Sequence, residues 1–439
     1  MMFMVIAIAY ACAVYLSDAL YLHNKWGYYG FLFVTPSFQV VSLMTLLVFM
    51  VSMMVPLKID RPSSLLIVTL YLVIYIPTVV ITLCLSKEAV KDYGIELSSL
   101  TVAFFLICIA ARLPLRRYSI TPLLPGREFS TPLIAMWLVL GIYLIWRYHA
   151  VMHLVGLDSI YGQRALAVID DGITGYAMSY FAVVVNPALV TIGIIRRRRL
   201  LLVMGVLGAI IVYAINATKI SLALPLLMLI LAKVWQSDKP ISRSSVLLSV
   251  GMLGIYAFVF FAHYVMNTSV PMDLFAFRSI GLPALTFSQY SDIFSHDGYT
   301  WWSHIKGISL FIPAPSAYAN DPSWPNLGHI VGGHVYESSE VNANANFFVS
   351  DGVASAGSLG ILVIGVVAAF LFSTFDRLAK FIDPLFVMLA TLPLATIITN
   401  GSIFTLFLSF GGFFWMLVFF LYRSSPKNFS RPEYSYARR

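Results

Sequence analysis

Residues 246–266 read VLLSVGMLGIYAFVFFAHYVM, 21 consecutive positions without Asp, Glu, Lys or Arg. A helix needs about 20 predominantly apolar residues to cross a hydrocarbon core, and this run has that length. Its apolar residues do not alternate with polar ones, as those of a barrel strand would. Backbone in lipid must also satisfy its own hydrogen bonds, so the segment reads as a spanning helix. Similar runs recur from end to end. The chain is 59% hydrophobic and 11% charged, against roughly 25% charged in an ordinary soluble domain. The expected fold class is an all-α polytopic integral membrane protein. Twelve spans fit: 1–16, 31–55, 64–85, 97–111, 132–148, 176–195, 200–216, 219–235, 246–266, 353–373, 385–399 and 403–422. No basic residue precedes the first apolar run, which therefore reads as a span and not as a signal peptide.

The hydropathy changes directly after Met266. Asn267 to Ser350 is the one long polar stretch, and it divides the chain. Spans one to nine fill 1–266, with a short surface helix expected near 157–171. A long loop domain fills 267–350, three more spans fill 351–422, and 423–439 is a basic tail. The pairs around Asn216-Ala217-Thr218 and Asn400-Gly401-Ser402 read as tight hairpins. Within the loop, Met272 to Ile280 reads as a helix broken at Gly281 and Pro283. A second helix starts at Pro283, a good first-turn residue, and 313–325 reads as irregular.

Lys and Arg residues set the orientation. Lys58, Arg61, Arg112, Arg116, Arg117, Arg127, Arg196 to Arg199, Lys233, Lys239, Arg243, Arg377, Lys380 and the basic tail all fall on alternate connectors. The positive-inside rule makes that face cytoplasmic and puts both termini there. The opposite face carries most of the acids and all eight histidines. The formal charge of +8 sits in short loops, so it does not point to nucleic acid. Cys12, Cys84 and Cys108 all lie in apolar runs, without disulfide or metal-ligand spacing. No phosphate-binding glycine loop, dinucleotide fingerprint or H-E-x-x-H motif occurs. The span interiors, with these boundaries, are almost free of ionisable groups, which argues against a transporter.

Candidate anion-binding residues are Arg278, Lys219 and Arg164. Arg278 lies among Phe275, Phe277, Ile280 and Leu282, where a guanidinium wants an anionic partner. That partner is a lipid phosphate, Asp273, Asp292, or a substrate phosphate held bidentately. Lys219 opens the eighth span. A cation there opposes the helix dipole unless an anion binds at the same amides; the alternative is that it snorkels to water. Arg164 lies on the expected surface helix and either touches headgroups or joins the same site. His329, His334, Glu337 and Glu340 are candidates for general acid–base work, or are solvated loop residues. Tyr299, Trp301 and Trp302 could stack on sugars, or form an interfacial belt.

The run Asn344-Ala345-Asn346-Phe347-Phe348-Val349-Ser350-Asp351, followed by Gly352, Gly357, Ser358, Leu359 and Gly360, resembles the re-entry segment of O-antigen polymerases of the Wzy type and, more distantly, of O-antigen ligases. Gly298-Tyr299 to Pro313-Ala314-Pro315 resembles their external loop, and Asn216-Ala217-Thr218-Lys219 falls where relatives carry a small residue, Ser and Arg. Arg164 and Gly175 match the R-x10-G pattern of such loops. Departures are Gln289, eleven residues after Arg278, where a second copy would have Gly, and Ala345, where ligases carry His. The second departure favours polymerase over ligase.

The resemblance implies a GT-C-like membrane glycosyltransferase in the bacterial inner membrane. It would polymerise undecaprenyl-diphosphate-linked oligosaccharide units at the periplasmic face without metal or cofactor. Membrane lipids, a chain-length regulator and a flippase are the further partners implied. Arg278, Lys219 and Arg164 would then hold diphosphate. Glu340, His334, His329 or Glu337 would serve as base, and Trp301, Trp302, Tyr299 and Asn344 would contact sugar. A glycan ligase and a flippase or exporter of the same lipid-linked substrate are the alternatives.

Overall fold

In a computed structural model, the structure describes residues 1–113, 129–156, 162–163, 166–167, 172–235, 244–338, 340–380, 382–399 and 401–421. Every regular element among them is helical. Among the described residues, eight helices are long and apolar enough to cross a membrane: Met2–Tyr29, Pro62–Thr82, Ala89–Arg112, Ser130–Tyr148, Gly172–Ile195, Arg199–Asn216, Ser244–Tyr264 and Val349–Ala379. This is the make-up of a polytopic membrane protein.

The remaining expected spans form shorter helices, for local reasons. The second begins only at Phe38 because Pro36 biases Thr35 away from helix. The Val34 N–H instead donates to Cys84 O at 2.7 Å, and Ser37 caps the helix by accepting from Val40 N at 3.4 Å. The last is split into Thr405–Ser409 and Gly412–Leu421 by Gly411, whose φ of 87° few other residues adopt. The first runs on past residue 16 to Tyr29 through a π-helical stretch, Asp18–Leu22.

The chain forms two compact units. The first comprises Met1–Pro114, Asp238–Thr374 and Leu394–Leu408. Here the long polar stretch is built into the helical body. Val270–Met272, the π-helical Asp273–Gly281 and Leu282–Asp297 follow one another without interruption. The expected break at Gly281 and Pro283 is absent. Leu282 N donates to Phe277 O, five residues back, and this wider turn accommodates a proline ring that lacks its own N–H. Leu282–Asp297 packs on Ile76–Thr82 and buries every residue from Pro283 to Ser291. Residues 313–326 are turns, as their Pro, Asn and Ser content predicts, and the helix Leu327–Tyr336 follows. The chain then returns along that helix, with Ala343 N donating to Gly328 O at 2.9 Å.

The second unit comprises Leu115–Ser237, Phe375–Pro393 and Ser409–Arg439. Its centre is the pair Gly172–Ile195 and Arg199–Asn216. A Cβ on Gly193 would lie 2.6 Å from Leu202 N, and one on Gly205 would lie 2.7 Å from Asn186 O. These small residues let two backbones meet where lipid supplies no hydrophobic driving force. The tight hairpin after Asn216 is present, with Ala217 at φ 51° and Thr218 N donating to Asn216 Oδ1 at 3.0 Å. Most of the expected surface helix near 157–171, including Arg164, and the basic tail lie outside the described residues.

Candidate active site

The helix that re-enters at Val349 is broken about two turns in. Ala356 has φ −160° and ψ 33°, and Gly357 has φ 54° and ψ −130°. The break releases carbonyls from the helical ladder, and residues 300–302 take them. Thr300 N donates to Ala354 O and Trp301 N to Ser355 O, both at 2.9 Å. The Trp302 indole N–H donates to Asp351 O at 2.7 Å. Trp301 and Trp302 hold left-handed φ of 50° and 62°. Two successive tryptophans in that region store strain that the surrounding bonds must hold in place. A Cβ on Gly357 would lie 2.6 Å from the Tyr299 hydroxyl, so both its conformation and its neighbour require glycine.

Asp351 anchors this junction. Its carboxylate is 4% exposed and lies 3.4 Å from Nε2 of His304, which is 8% exposed. Its other oxygen accepts from Phe404 N at 3.2 Å, and His304 Nδ1 lies 3.0 Å from the Thr300 hydroxyl. Each polar group in the set has a partner, as a buried network requires.

A second acidic group faces solvent. Tyr93 donates its hydroxyl hydrogen to Asp292, 2.8 Å and 3.0 Å from the two carboxylate oxygens. Asp92 and Glu96 stand four residues apart on Ala89–Arg112, on one face with Tyr93. Asp292 and Asp92 are exposed and Glu96 is half-buried. Partial desolvation raises the Asp292 carboxyl above its ordinary value. The Tyr93 hydrogen bond opposes the rise, and Asp92 adds to it. The Tyr299 hydroxyl is raised first by desolvation and then by Glu96. Tyr299 meets Trp301 edge-on, with centroids 6.4 Å apart, and Trp301 is 50% exposed. The result is a solvent-facing patch of carboxylates edged by aromatic faces. Such a patch can take a proton from a hydroxyl while an aromatic plane packs on the apolar face of a ring.

The other residues singled out from sequence are dispersed. Arg278 is exposed on Asp273–Gly281. Asp273 is engaged by Lys25 Nζ at 2.7 Å, the Trp26 indole at 3.0 Å and the Tyr21 hydroxyl, and Asp292 by Tyr93. Lys219 is the half-buried first residue of Lys219–Trp235, in the second unit. Neither unit alone therefore contains both cations. His334 Nδ1 lies 3.8 Å from Asp297 Oδ2, and His329 is half-buried on the same helix. Glu337 ends that helix at φ 53°. Glu337 and Glu340 are exposed, and neither side chain makes a hydrogen bond or ion pair among the described residues. Asn344 is half-buried with its Oδ1 unpartnered. Its neighbour Asn346 is structural, donating to Pro283 O at 2.7 Å and accepting from Phe348 N at 2.9 Å.

Glu96 and Tyr93 were not singled out because they stand just before the expected span 97–111, whereas the helix begins at Ala89. The legible signal was Asp92-Tyr93-x-x-Glu96, whose spacing puts all three on one face. Compared with known proteins, the chain matches no family model, no curated protein and no solved structure.

Proposed function

We propose that the chain is a membrane glycosyltransferase that polymerises undecaprenyl-diphosphate-linked oligosaccharide units at the periplasmic face of a bacterial inner membrane. This reading takes the chain as twelve spans with both termini cytoplasmic. The observation that carries it is the patch of Asp92, Tyr93, Glu96, Asp292, Tyr299 and Trp301 beside the broken helix. Glycosyl transfer needs a base for the acceptor hydroxyl. As that oxygen bonds to the anomeric carbon, the bond from carbon to the diphosphate oxygen breaks, and the electron pair leaves with the phosphate. Asp292 is the base in this reading, because its raised carboxyl value brings it closer to the operating pH.

Arg278 precedes Asp292 by fourteen residues in an uninterrupted helical run, roughly 20 Å at the helical rise. It is too distant to touch the phosphate of the bond that breaks beside Asp292. It suits the diphosphate of the incoming acceptor unit, which sits at the other end of that oligosaccharide. Asp292→Asn should insert normally yet make no glycan ladder in a strain lacking the native protein. A full-length ladder from that variant would remove Asp292 as the base. An exporter of the same lipid-linked substrate is the second reading. It is favoured by Asp18, a buried carboxyl inside the first span, since such groups commonly mark ion pathways.

A further inference from the structure

Asp18 has no part in the glycosyl transfer described above. It is 0% exposed, and neither carboxyl oxygen has a hydrogen-bond partner among the described residues. It opens the π-helical stretch Asp18–Leu22, a distortion frequently found at functional sites.

Phe38–Ser52, packed on the first helix, brings no titratable group, and the other elements packed on that helix bring the following polar side chains. Its own helix brings Tyr10, Tyr15 and His23, whose Nδ1 lies 3.1 Å from Phe31 O, together with Ser17, whose hydroxyl donates to Val14 O at 2.7 Å. Ser244–Tyr264 brings Tyr256, its ring 5.6 Å from that of Tyr10, and His263, its ring 4.8 Å from that of Tyr21. Ile76–Thr82 brings Thr78 and Thr82, with Cys84 just beyond. The hydroxyls of Tyr10, Tyr256, Thr78 and Thr82 and Nδ1 of His263 are buried without partners among the described residues. Asp273–Gly281 brings Asp273, to which Lys25 is committed at 2.7 Å. No cation in this set neutralises Asp18.

An ionised carboxylate without donor or counter-ion is among the costliest groups to bury, so the carboxyl must carry a cation of its own. A metal ion would need several converging ligands, and no group of three or more His, Cys, Asp or Glu gathers among the described residues. A proton needs only the carboxyl.

We propose that Asp18 is a proton-binding site within the spanning part of the first unit, occupied in the resting protein. It exchanges with solution through the polar end of its own helix. Tyr21 lies three residues on and donates to Asp273, which is 27% exposed. The site stands whether the chain polymerises or exports glycan, and its test uses no glycan.

The full-length protein in detergent is treated with dicyclohexylcarbodiimide, which adds to protonated carboxyls in apolar surroundings, and the adduct is mapped by peptide mass. Asp18 should be modified at neutral pH, less so as the solution is made strongly alkaline, and equally in sodium and potassium chloride. The same mass should be missing from Asp18→Asn. No adduct on Asp18 at neutral pH would overturn the proposal, as would protection by sodium at fixed pH. Infrared spectroscopy of the unmodified wild-type protein gives a check independent of the variant's folding. A protonated-carboxyl band should be present at neutral pH, and its absence would equally overturn the proposal.

Discussion

The first helix and the helix re-entering at Val349 each contain a π-helical stretch, and each stretch buries an aspartate. The surroundings of the two carboxyls differ. Asp351 meets His304 and the Phe404 N–H, with Thr300 holding the far side of the imidazole. Asp18 meets no donor among the described residues. A carboxylate with donors on both oxygens ties segments together, and removing it strands every partner. A carboxyl without them is a place where something small binds. Burial alone does not separate the two roles; the inventory of partners does.

The comparison would break most visibly at Asp351. Asp351→Ala leaves His304 and an amide unpaired, and should cost about 3–5 kcal/mol, the usual cost of breaking a buried charge-assisted set. Chemical denaturation in detergent measures it, and wild-type stability in this variant would show that the latch holds nothing. Gly357→Ala should cost about 1–3 kcal/mol from the left-handed φ and should displace Tyr299, which its intrinsic fluorescence can follow.

Asp18→Asn should change stability by less than about 1 kcal/mol, because an amide replaces a neutral acid of the same shape. A loss as large as that of Asp351→Ala would mean that Asp18 is ionised and paired.

The smallest effect concerns pH. The folded protein holds the Asp292 proton more tightly than the unfolded chain. Its contribution to stability is therefore present below the ordinary aspartate value and lost as pH rises through the raised folded one. The basic form needed for transfer appears over the same rise. Tyr93 favours the ionised form, so Tyr93→Phe should move the acid limb of activity to higher pH. Asp92→Asn should move it lower. Unshifted limbs in both variants would separate Asp292 from the reaction.

Much of the helical body was legible in the sequence because twenty-residue apolar runs have few other solutions in lipid. The break and helix start expected at Gly281 and Pro283 are absent, while the irregular run 313–325 followed from proline and asparagine chemistry. The π-turn at Leu282 did not, since a register change that absorbs a proline depends on packing against Ile76–Thr82. The loop's aromatics, Tyr299, Trp301 and Trp302, do come together at the break. The carboxylates beside them are Asp292, read from sequence only as a partner for Arg278, and Glu96, which stands just before the expected span 97–111 and was given no role. Asp18 escaped because the first span was ended at residue 16, where hydropathy falls although the helix continues. That boundary also made the span interiors look empty of ionisable groups, which they are not.

The central claim is best tested with the purified protein in detergent and radiolabelled lipid-linked units from its own host, with no second compartment present. Lengthening of the glycan by wild type, and its loss by roughly 100-fold or more in Asp292→Asn, is the predicted result. Glycan that stays one unit long with the wild-type protein would contradict it and leave the exporter as the reading to pursue.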